Sequence, residues 1–342
     1  MDKILSIIIP TYNMEKYLHK CLDSLIVSDE NMEQLEVLVI NDGSKDSSSQ
    51  IAHEYETKYP GTFRVIDKEN GNYGSCINRG LKEATGKYVK VLDADDYFDR
   101  EIFQLFILYL QTIEADLIIS DFAIVNEMGS VTEKCVFSLP KNKNISFGDM
   151  SENTVYWLWH HSICYKTENI RNIDYKQTEG ISYTDDEWIF KPMVTVKSIK
   201  YFDNILYLYL RGREGQTFDP NVLVKTFSQR VVVIKSMIDY YFRVKEYCSP
   251  AAELFLIRKL IIRIRDIYFY CLITNPSEQL KEMLVSLDLD IKKTSFPIYQ
   301  LTNDVTSGLG WKWIKGWRQA GYKNTRVIYV MRVKQHFKQF LK

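Results

Sequence analysis

Short continuous apolar runs alternate with segments of helical spacing over residues 1–125. "LSIII", residues 5–9, reads as a strand buried on both faces. Over residues 14–27, Tyr17, Leu18, Cys21, Leu22 and Leu25 recur at three- and four-residue intervals, which predicts a helix. "EVLVIN", residues 36–41, predicts a second strand, and Asp46 or Ser47 can cap a helix running to about Tyr59. "FRVID", residues 63–67, predicts a third strand, followed by a helix over 75–84 that Gly86 stops. A fourth strand over 88–92, a helix over 100–112 with Asp99 as N-cap, and a fifth strand over 116–120 complete the series.

Strand and helix alternating in this way predict an α/β fold with βαβ units and a mostly parallel sheet. Ligands in such sheets bind outside the carboxyl ends of the strands. Those ends read Pro10-Thr11-Tyr12-Asn13, Asn41-Asp42-Gly43-Ser44, Asp67 and Asp93-Ala94-Asp95-Asp96. Polar and acidic residues therefore gather where a ligand belongs.

The rhythm changes after residue 125. Residues 126–220 are less regular and carry aromatic segments such as "VYWLWHHSICY" and "ILYLYL". Residues 221–342 are predicted to be mainly helical, with long stretches of apolar residues at three- and four-residue spacing. The organisation expected is a ligand-binding half over 1–125, a second half of the same domain over 126–220 and a helical region over 221–342. Charge follows these divisions. Net charge is zero overall, but the three segments carry −10, −2 and +12. The balance and the acidic front argue against nucleic acid as a partner. The six cysteines form no CxxC pair, so a zinc site or small disulfide framework is not expected and a reducing compartment is. The apolar start before Pro10 is too short for a signal peptide, and no run approaches the length of a spanning helix. The expected location is cytoplasmic.

Three carboxylates in the four positions 93–96 repel one another. Part of their purpose is local, since Asp suits a helix start and its dipole. In an extended chain, positions i and i+2 point to the same side, so Asp93 and Asp95 could face one ligand. A divalent cation makes such a group tolerable, and hard oxygen ligands suit Mg²⁺ or Mn²⁺ shared with a diphosphate.

"SIIIPTYN", "VLVINDGSKDSS" and "NGNYGSCINRGLKEATGKYVKVLDADD" occur in this order. Together they resemble the nucleotide-binding half of family 2 glycosyltransferases, the inverting enzymes of the GT-A fold, over residues 3–125. The resemblance implies that Pro10, Thr11 and Tyr12 meet the nucleobase, with Tyr12 as a stacking partner. It implies that Asp42 hydrogen-bonds the base, typically uracil, and that Asp93 addresses the ribose. Asp95 would hold Mn²⁺ or Mg²⁺, with Asp96 as a second ligand or a support. Arg79 could reach base or diphosphate. Gly74 and Asn78 of the same stretch read as structural.

An inverting transfer also needs a base for the acceptor hydroxyl. Members of the family it resembles carry this base in an acidic pair before an aromatic helix. "SYTDDEWIFKP", residues 182–192, matches, and Asp185 is the first choice, then Asp186, with Glu187 beside them. Thr184 or Asp185 could instead cap that helix. "YLRGREGQT", residues 209–217, is similar to the family's later signature. It implies diphosphate or acceptor contacts for Arg211, Arg213 and Gln216. Neighbouring side chains on a helix or strand point apart, so His160 and His161 are not expected to act as a pair. The basic, aromatic stretch from Gly310 to the C-terminus, 9 Lys/Arg with no Asp/Glu, suits an anionic membrane surface through residues 311–342, or equally a helix packed on the body.

The resemblance implies an inverting glycosyltransferase that moves a sugar from a nucleotide diphosphate, UDP favoured, to a hydroxyl of a glycan or lipid-linked glycan. Polysaccharide assembly at the cytoplasmic face of the inner membrane is the expected setting. The alternatives are a degenerate sugar-nucleotide- or glycan-binding module and a sugar nucleotidyltransferase. The latter would need a glycine-rich basic loop where Pro10-Thr11-Tyr12-Asn13 stands.

Overall fold

The computed structural model describes residues 3–141, 143–213, 226–274 and 277–340. Its contacts divide into two compact units, Met1–Gln216 with Val244–Leu256, and Thr217–Arg243 with Ile257–Lys342.

The first unit is built on one nine-stranded sheet. Its first part follows the sequence: β1 (Leu5–Thr11), α1 (Glu15–Asp23), α2 (Asp29–Glu33), β2 (Leu35–Asn41), α3 (Ser48–Lys58), β3 (Phe63–Asp67), α4 (Asn72–Glu83) and β4 (Tyr88–Val91). The strand order β3-β2-β1-β4 is parallel throughout, with Thr11 opposite Asn41 and Asn41 opposite Asp67. This register makes the carboxyl ends finish in step. β1 and β2 are buried along nearly their whole length, which explains their unbroken apolar runs.

The sequence expectations need adjustment at particular points. α4 begins at Asn72 rather than 75, because Asn72 takes a positive φ of 65° and turns the chain into the helix early. The short α2 and β5 (Tyr97–Phe98) lack the length to show a period. α5 (Arg100–Thr112) has the predicted bounds, and the Asp99 carboxylate accepts from the Ile102 N–H at 3.1 Å. The fifth predicted strand continues to Val125 as β6 (Leu117–Val125).

The second part of the sheet is mixed. β7 (Val131–Cys135), α6 (Glu152–Trp157), β8 (Ile163–Lys166), α7 (Thr167–Arg171), α8 (Asp185–Phe190) and β9 (Ile199–Leu210) follow. β8 runs antiparallel between β4 and β6. β9 runs parallel to β6, with register shifts around Asp121, and β5 pairs antiparallel with β9.

The second unit is helical: most of α9 (Phe227–Val244), the later turns of α10 (Pro250–Phe269), a π-helical turn (Tyr270–Thr274), α11 (Glu278–Thr294), α12 (Phe296–Leu301), α13 (Trp313–Gln319) and α14 (Arg326–Phe340). Its core includes Tyr268, Leu280, Leu284, Leu287, Trp313 and Trp317. Two of the three tail tryptophans are therefore packed inside, and Trp311, 42% exposed, is not. Inside the unit, Asp288 accepts from Tyr268 and from Arg318 Nε at 2.9 Å. The Arg318 guanidinium lies 3.7 Å from the Tyr299 ring centre and donates to the Tyr299 carbonyl and Asn303. Among the described residues, no helix is long and apolar enough to cross a membrane.

Candidate active site

The first two parallel loops are laced together. The Asn13 N–H donates to Ser44 Oγ at 3.1 Å, and the Lys45 N–H to Asn13 Oδ1 at 2.8 Å. Asp46 accepts from the N–H groups of Glu15 and Ser48, both at 3.0 Å. Ser47 thus holds the N-cap position of α3 while Asp46 supplies the acceptor. Thr11 is buried beyond Pro10 at the end of β1, and Tyr12 emerges 46% exposed at the lip of this wall. Asp42 is buried, and its Oδ1 accepts from Lys68 Nζ at 2.5 Å and from the Gly71 N–H at 2.9 Å. It thereby fixes the loop that feeds α4.

β4 ends at Val91, and residues 93–96 form a tight turn closed by the Asp96 N–H donating to the Asp93 carbonyl at 2.9 Å. The chain is therefore not extended here, and the alternation expected from sequence is replaced by turn geometry. The turn brings all three carboxylates together, with one oxygen of each within 4.8 Å of the others. Each finds different company. Asp93 accepts from Tyr73 at 3.0 Å and pairs with His160 Nε2 at 3.0 Å. Asp95 accepts from Arg213 Nε at 2.5 Å. Asp96 is enclosed, with Oδ2 accepting from Tyr207 at 2.7 Å and Oδ1 from the Leu210 N–H at 2.7 Å. Tyr207 in turn accepts from the Asp93 N–H at 3.1 Å, so one phenol ties β9 to both ends of the turn.

Electrostatics separates the three further. Burial acts against the Asp93 carboxylate, but the facing His160 holds its pKa below the ordinary range. Burial raises Asp95, offset in part by Arg213. Burial and the two neighbouring acids push Asp96 well up. Three carboxylates share one arginine and one histidine in this turn, and their donors are hard oxygens. That set fits a divalent cation of the Mg²⁺ or Mn²⁺ type.

His160 and His161 lie on a single 3₁₀ turn with ring centres 3.8 Å apart. The expectation that they point apart holds for an α-helix or a strand and fails here, because the tighter turn sets both rings toward the acids. His160 reaches Asp93 through Nε2, and its Nδ1 lies 3.8 Å from Asp185 Oδ2. Burial favours the neutral ring, and the charges of Asp93 and Asp185 outweigh it, so its pKa is raised. His161 stacks on Tyr209 at 4.5 Å. Burial and the adjacent His160 push it well below the ordinary value.

The three candidate bases occupy different surroundings. Asp185 opens α8 with its side chain 37% exposed and faces His160. Asp186 is half-buried on the same turn. Glu187 is fully buried, pairs with Lys191 at 2.8 Å and accepts from the Thr178 N–H at 2.6 Å. The segment holding α8 is strapped to α4: Asn78 bonds Gln177 in both directions, and the Gly180 N–H donates to the Gly71 carbonyl at 2.9 Å. A Cβ at Gly74 would collide with the Thr178 carbonyl, so only glycine lets the two approach.

Arg213 joins the acids and also lies over the Tyr17 ring at 5.6 Å. Arg211 turns toward Glu133, 4.0 Å away, and over Tyr209. Arg79 is exposed on α4 and pairs with Glu83 at 3.0 Å, which also takes Arg64. Gln216 lies outside the described residues. The structure therefore brings together Asp93, Asp95, Asp96, Arg213 and Asp185, and adds Tyr73, His160 and Tyr207, which sequence reasoning missed. Tyr73 lay inside a quoted motif, whereas His160 meets Asp93 across 67 positions and carried no local signal.

The glycosyl transferase family 2 model matches residues 6–176, half of the chain. An uncharacterized glycosyltransferase of Mycoplasma genitalium is 42% identical over 30% of this chain and 34% of its own length. The uncharacterized glycosyltransferase EpsJ of Bacillus subtilis is 26% identical over 64% of each chain. Poly(ribitol-phosphate) beta-N-acetylglucosaminyltransferase TarS of Staphylococcus aureus is 27% identical over 62% of this chain and 36% of its own length. The chain thus spans about a third to two thirds of these curated relatives. Among solved structures, TarS 1-349 in complex with UDP-GlcNAc superposes with a TM-score of 0.72 at 20% identity, covering 98% of this chain and 92% of that one. At that identity the likeness is one of fold.

Proposed function

The chain belongs to glycosyl transferase family 2, and from that premise we propose that it transfers a sugar from a nucleoside diphosphate donor to a hydroxyl of a glycan or lipid-linked glycan, with inversion. The observation that carries this reading is the approach of Asp185 to the Asp93 turn across a single histidine ring. A donor-side acid and a partly exposed carboxylate able to accept a proton thus flank one ring.

In this reading Tyr12 offers its ring to the base, and Asp42 builds the base-binding loop through Lys68 and Gly71. UDP is the favoured donor nucleotide; the solved structure of TarS with UDP-GlcNAc supports it by likeness of fold. Asp93 addresses the ribose while Tyr73 and His160 fix its orientation. Asp95, beside Asp93, would hold Mn²⁺ or Mg²⁺, whose chemistry there is Lewis acidity toward the leaving diphosphate. Asp96 is assigned the support role, because both its oxygens are engaged by β9. Arg213 brings a guanidinium to the diphosphate side. Asp185 takes the proton from the acceptor hydroxyl as that oxygen attacks the anomeric carbon and the bond to the diphosphate breaks. Glu187 is set aside as base, since its charge is spent on Lys191 and Thr178. We place the reaction at the cytoplasmic membrane face. Trp311 and the exposed Lys312, Lys315, Lys323, Arg326 and Lys334 are the contacts offered there, as Trp313, Trp317 and Arg318 are packed inside.

Calorimetric titration with UDP, GDP, CDP and dTDP, each with and without Mn²⁺, tests the reading. UDP is expected to bind in a Mn²⁺-dependent manner, and Asp95→Ala to lose that dependence. Failure of every nucleotide to bind would return residues 93–96 to a purely structural part.

A further inference from the structure

The ring between Asp93 and Asp185 has one nitrogen in use and one to spare. His160 is 6% exposed, and its Nε2 pairs with Asp93 at 3.0 Å. Its Nδ1 is buried and has no hydrogen-bond partner among the described residues. A buried ring nitrogen left unanswered is costly and asks for a reason. The group it faces is Asp185 Oδ2, 3.8 Å away, near enough for charge to be felt and too far for a hydrogen bond.

The histidine is held from two directions. On the donor side, Asp93 is itself fixed by Tyr73 at 3.0 Å. Beneath, the 3₁₀ turn that carries His160 is fastened to β4. β8 pairs with β4 as Lys166 opposite Tyr88 and Tyr165 opposite Val89, and there the ladder stops. Lys90, next along β4 and fully buried, donates to the His161 carbonyl at 2.7 Å and to the Ile163 carbonyl at 3.2 Å. One strand therefore leads to Asp93 and also anchors the turn that brings His160 to it. The backbone of α8 is fixed as well: the Trp188 carbonyl accepts from Tyr165 at 3.1 Å, and Glu187 is tied to Thr178 and Lys191. The Asp185 side chain, 37% exposed, is the part with room to move. A shift of about 1 Å brings it to the length of a charge-assisted hydrogen bond.

We propose that His160 is a positioning residue for the base: seated on Asp93 and on the turn that Lys90 anchors, it takes Asp185 Oδ2 on its Nδ1–H and leaves Oδ1 to meet the acceptor hydroxyl. The proposal rests on the reading above, in which Asp185 is the base, and adds what sets that base against the donor. Burial and Lys90 act against a second proton on the ring, and Asp93 and Asp185 outweigh them. Placement matters at this scale, since an error of about 1 Å can cost about 10²-fold in rate. The exposed carboxylate is thereby given a fixed distance from the donor turn, although no backbone bond joins the two directly.

The test is a long-range proton–nitrogen spectrum of the full chain carrying ¹⁵N-labelled histidine, with UDP and Mg²⁺, a diamagnetic ion that avoids the line broadening Mn²⁺ would bring. The chain has five histidines, and the signals lost in His160→Gln identify those of His160. Both of its ring nitrogens are expected to carry protons. Asp185→Asn should shift the Nδ1 signal and leave the Nε2 signal in place, a response that a ring serving only to pack the interior would not give. UDP calorimetry on each protein reports the donor side, where Asp185→Asn should bind as the wild type does. An Nδ1 signal unmoved by Asp185→Asn, with UDP still bound, overturns the proposal and leaves the donor reading standing. So does an Nδ1 without a proton in the wild type. A wild type that binds no UDP overturns the donor reading, and the positioning role with it.

Discussion

Among the described residues, each unit buries acid, the first a turn of three carboxylates and the second the Asp288–Arg318 pair, and the two are built on opposite terms. In the second unit Asp288 stands against one guanidinium, that of Arg318, with Tyr268 also donating to Asp288 and with Tyr299 and Asn303 accepting from Arg318. Burial alone would lower the Arg318 pKa, but Asp288 and Tyr268 raise it, so the guanidinium keeps its charge. In the first unit, three carboxylates crowd a single turn around one arginine and one histidine. Two of the acids are held above their ordinary pKa. A pair matched charge for charge holds helices together. Three acids crowded at strand ends, with pKa values pushed apart by burial and by one another, are maintained at a cost and mark a functional site.

If this contrast is sound, the two clusters fail in different ways. The largest effect belongs to the chamber. Asp185→Asn should slow transfer by about 10²–10⁴-fold while UDP affinity is unchanged, read by single-turnover assay and calorimetry. Full turnover in that variant would move the base elsewhere and remove the functional half of the comparison. Next, Asp288→Ala should destabilise the protein by about 3–5 kcal/mol, because it strands a buried guanidinium, with little effect on nucleotide affinity of the folded protein. Urea unfolding measures this, and a change under 1 kcal/mol, about the value of an exposed pair, would deny Asp288 its structural role.

The smallest effect concerns Lys90, buried on β4 and donating to the His161 carbonyl at 2.7 Å. Burial pushes this ammonium down from 10.5 to about 8, with Cys164 acting weakly against it. Between those values the unfolded chain carries a proton that the folded chain has shed. Stability from this group therefore rises with pH across the window, by roughly 1–3 kcal/mol. Urea midpoints from pH 8 to 10 should show the rise as a difference between wild type and Lys90→Met. Parallel curves for the two proteins would mean that Lys90 is as well matched as Arg318.

The parallel half of the sheet was legible because its strands are buried on both faces, and "LSIII" and "EVLVIN" can be little else. Asp99 announced its helix by residue type alone. The site was legible as residue identities and not as geometry. Asp93 and Asp95 were recognised, yet their turn was read as extended, since only the Asp96 N–H bond to the Asp93 carbonyl reveals it. Asp185, Asp186 and Glu187 could not be separated from sequence. Their difference lies in the phase of α8 against Thr178 and His160, contacts made by other segments. His160 was passed over for the same reason. The tail tryptophans left two readings open for a third reason: Trp313 and Trp317 sit one helical turn apart, a spacing shared by a membrane-facing stripe and a core stripe.

The strap between α4 and the segment before α8 has a consequence for how such a protein changes over generations. Its key contacts are main-chain ones, the Gly180 N–H on the Gly71 carbonyl and the Gly74 backbone against Thr178. The spacing between the acidic turn and Asp185 is thereby recorded largely in the backbone, with the Asn78 side chain as its one side-chain clasp to Gln177. Sequence drift around β7 and α6 can accumulate while that spacing stays fixed, so the outer surface is free to diverge faster than the chemistry.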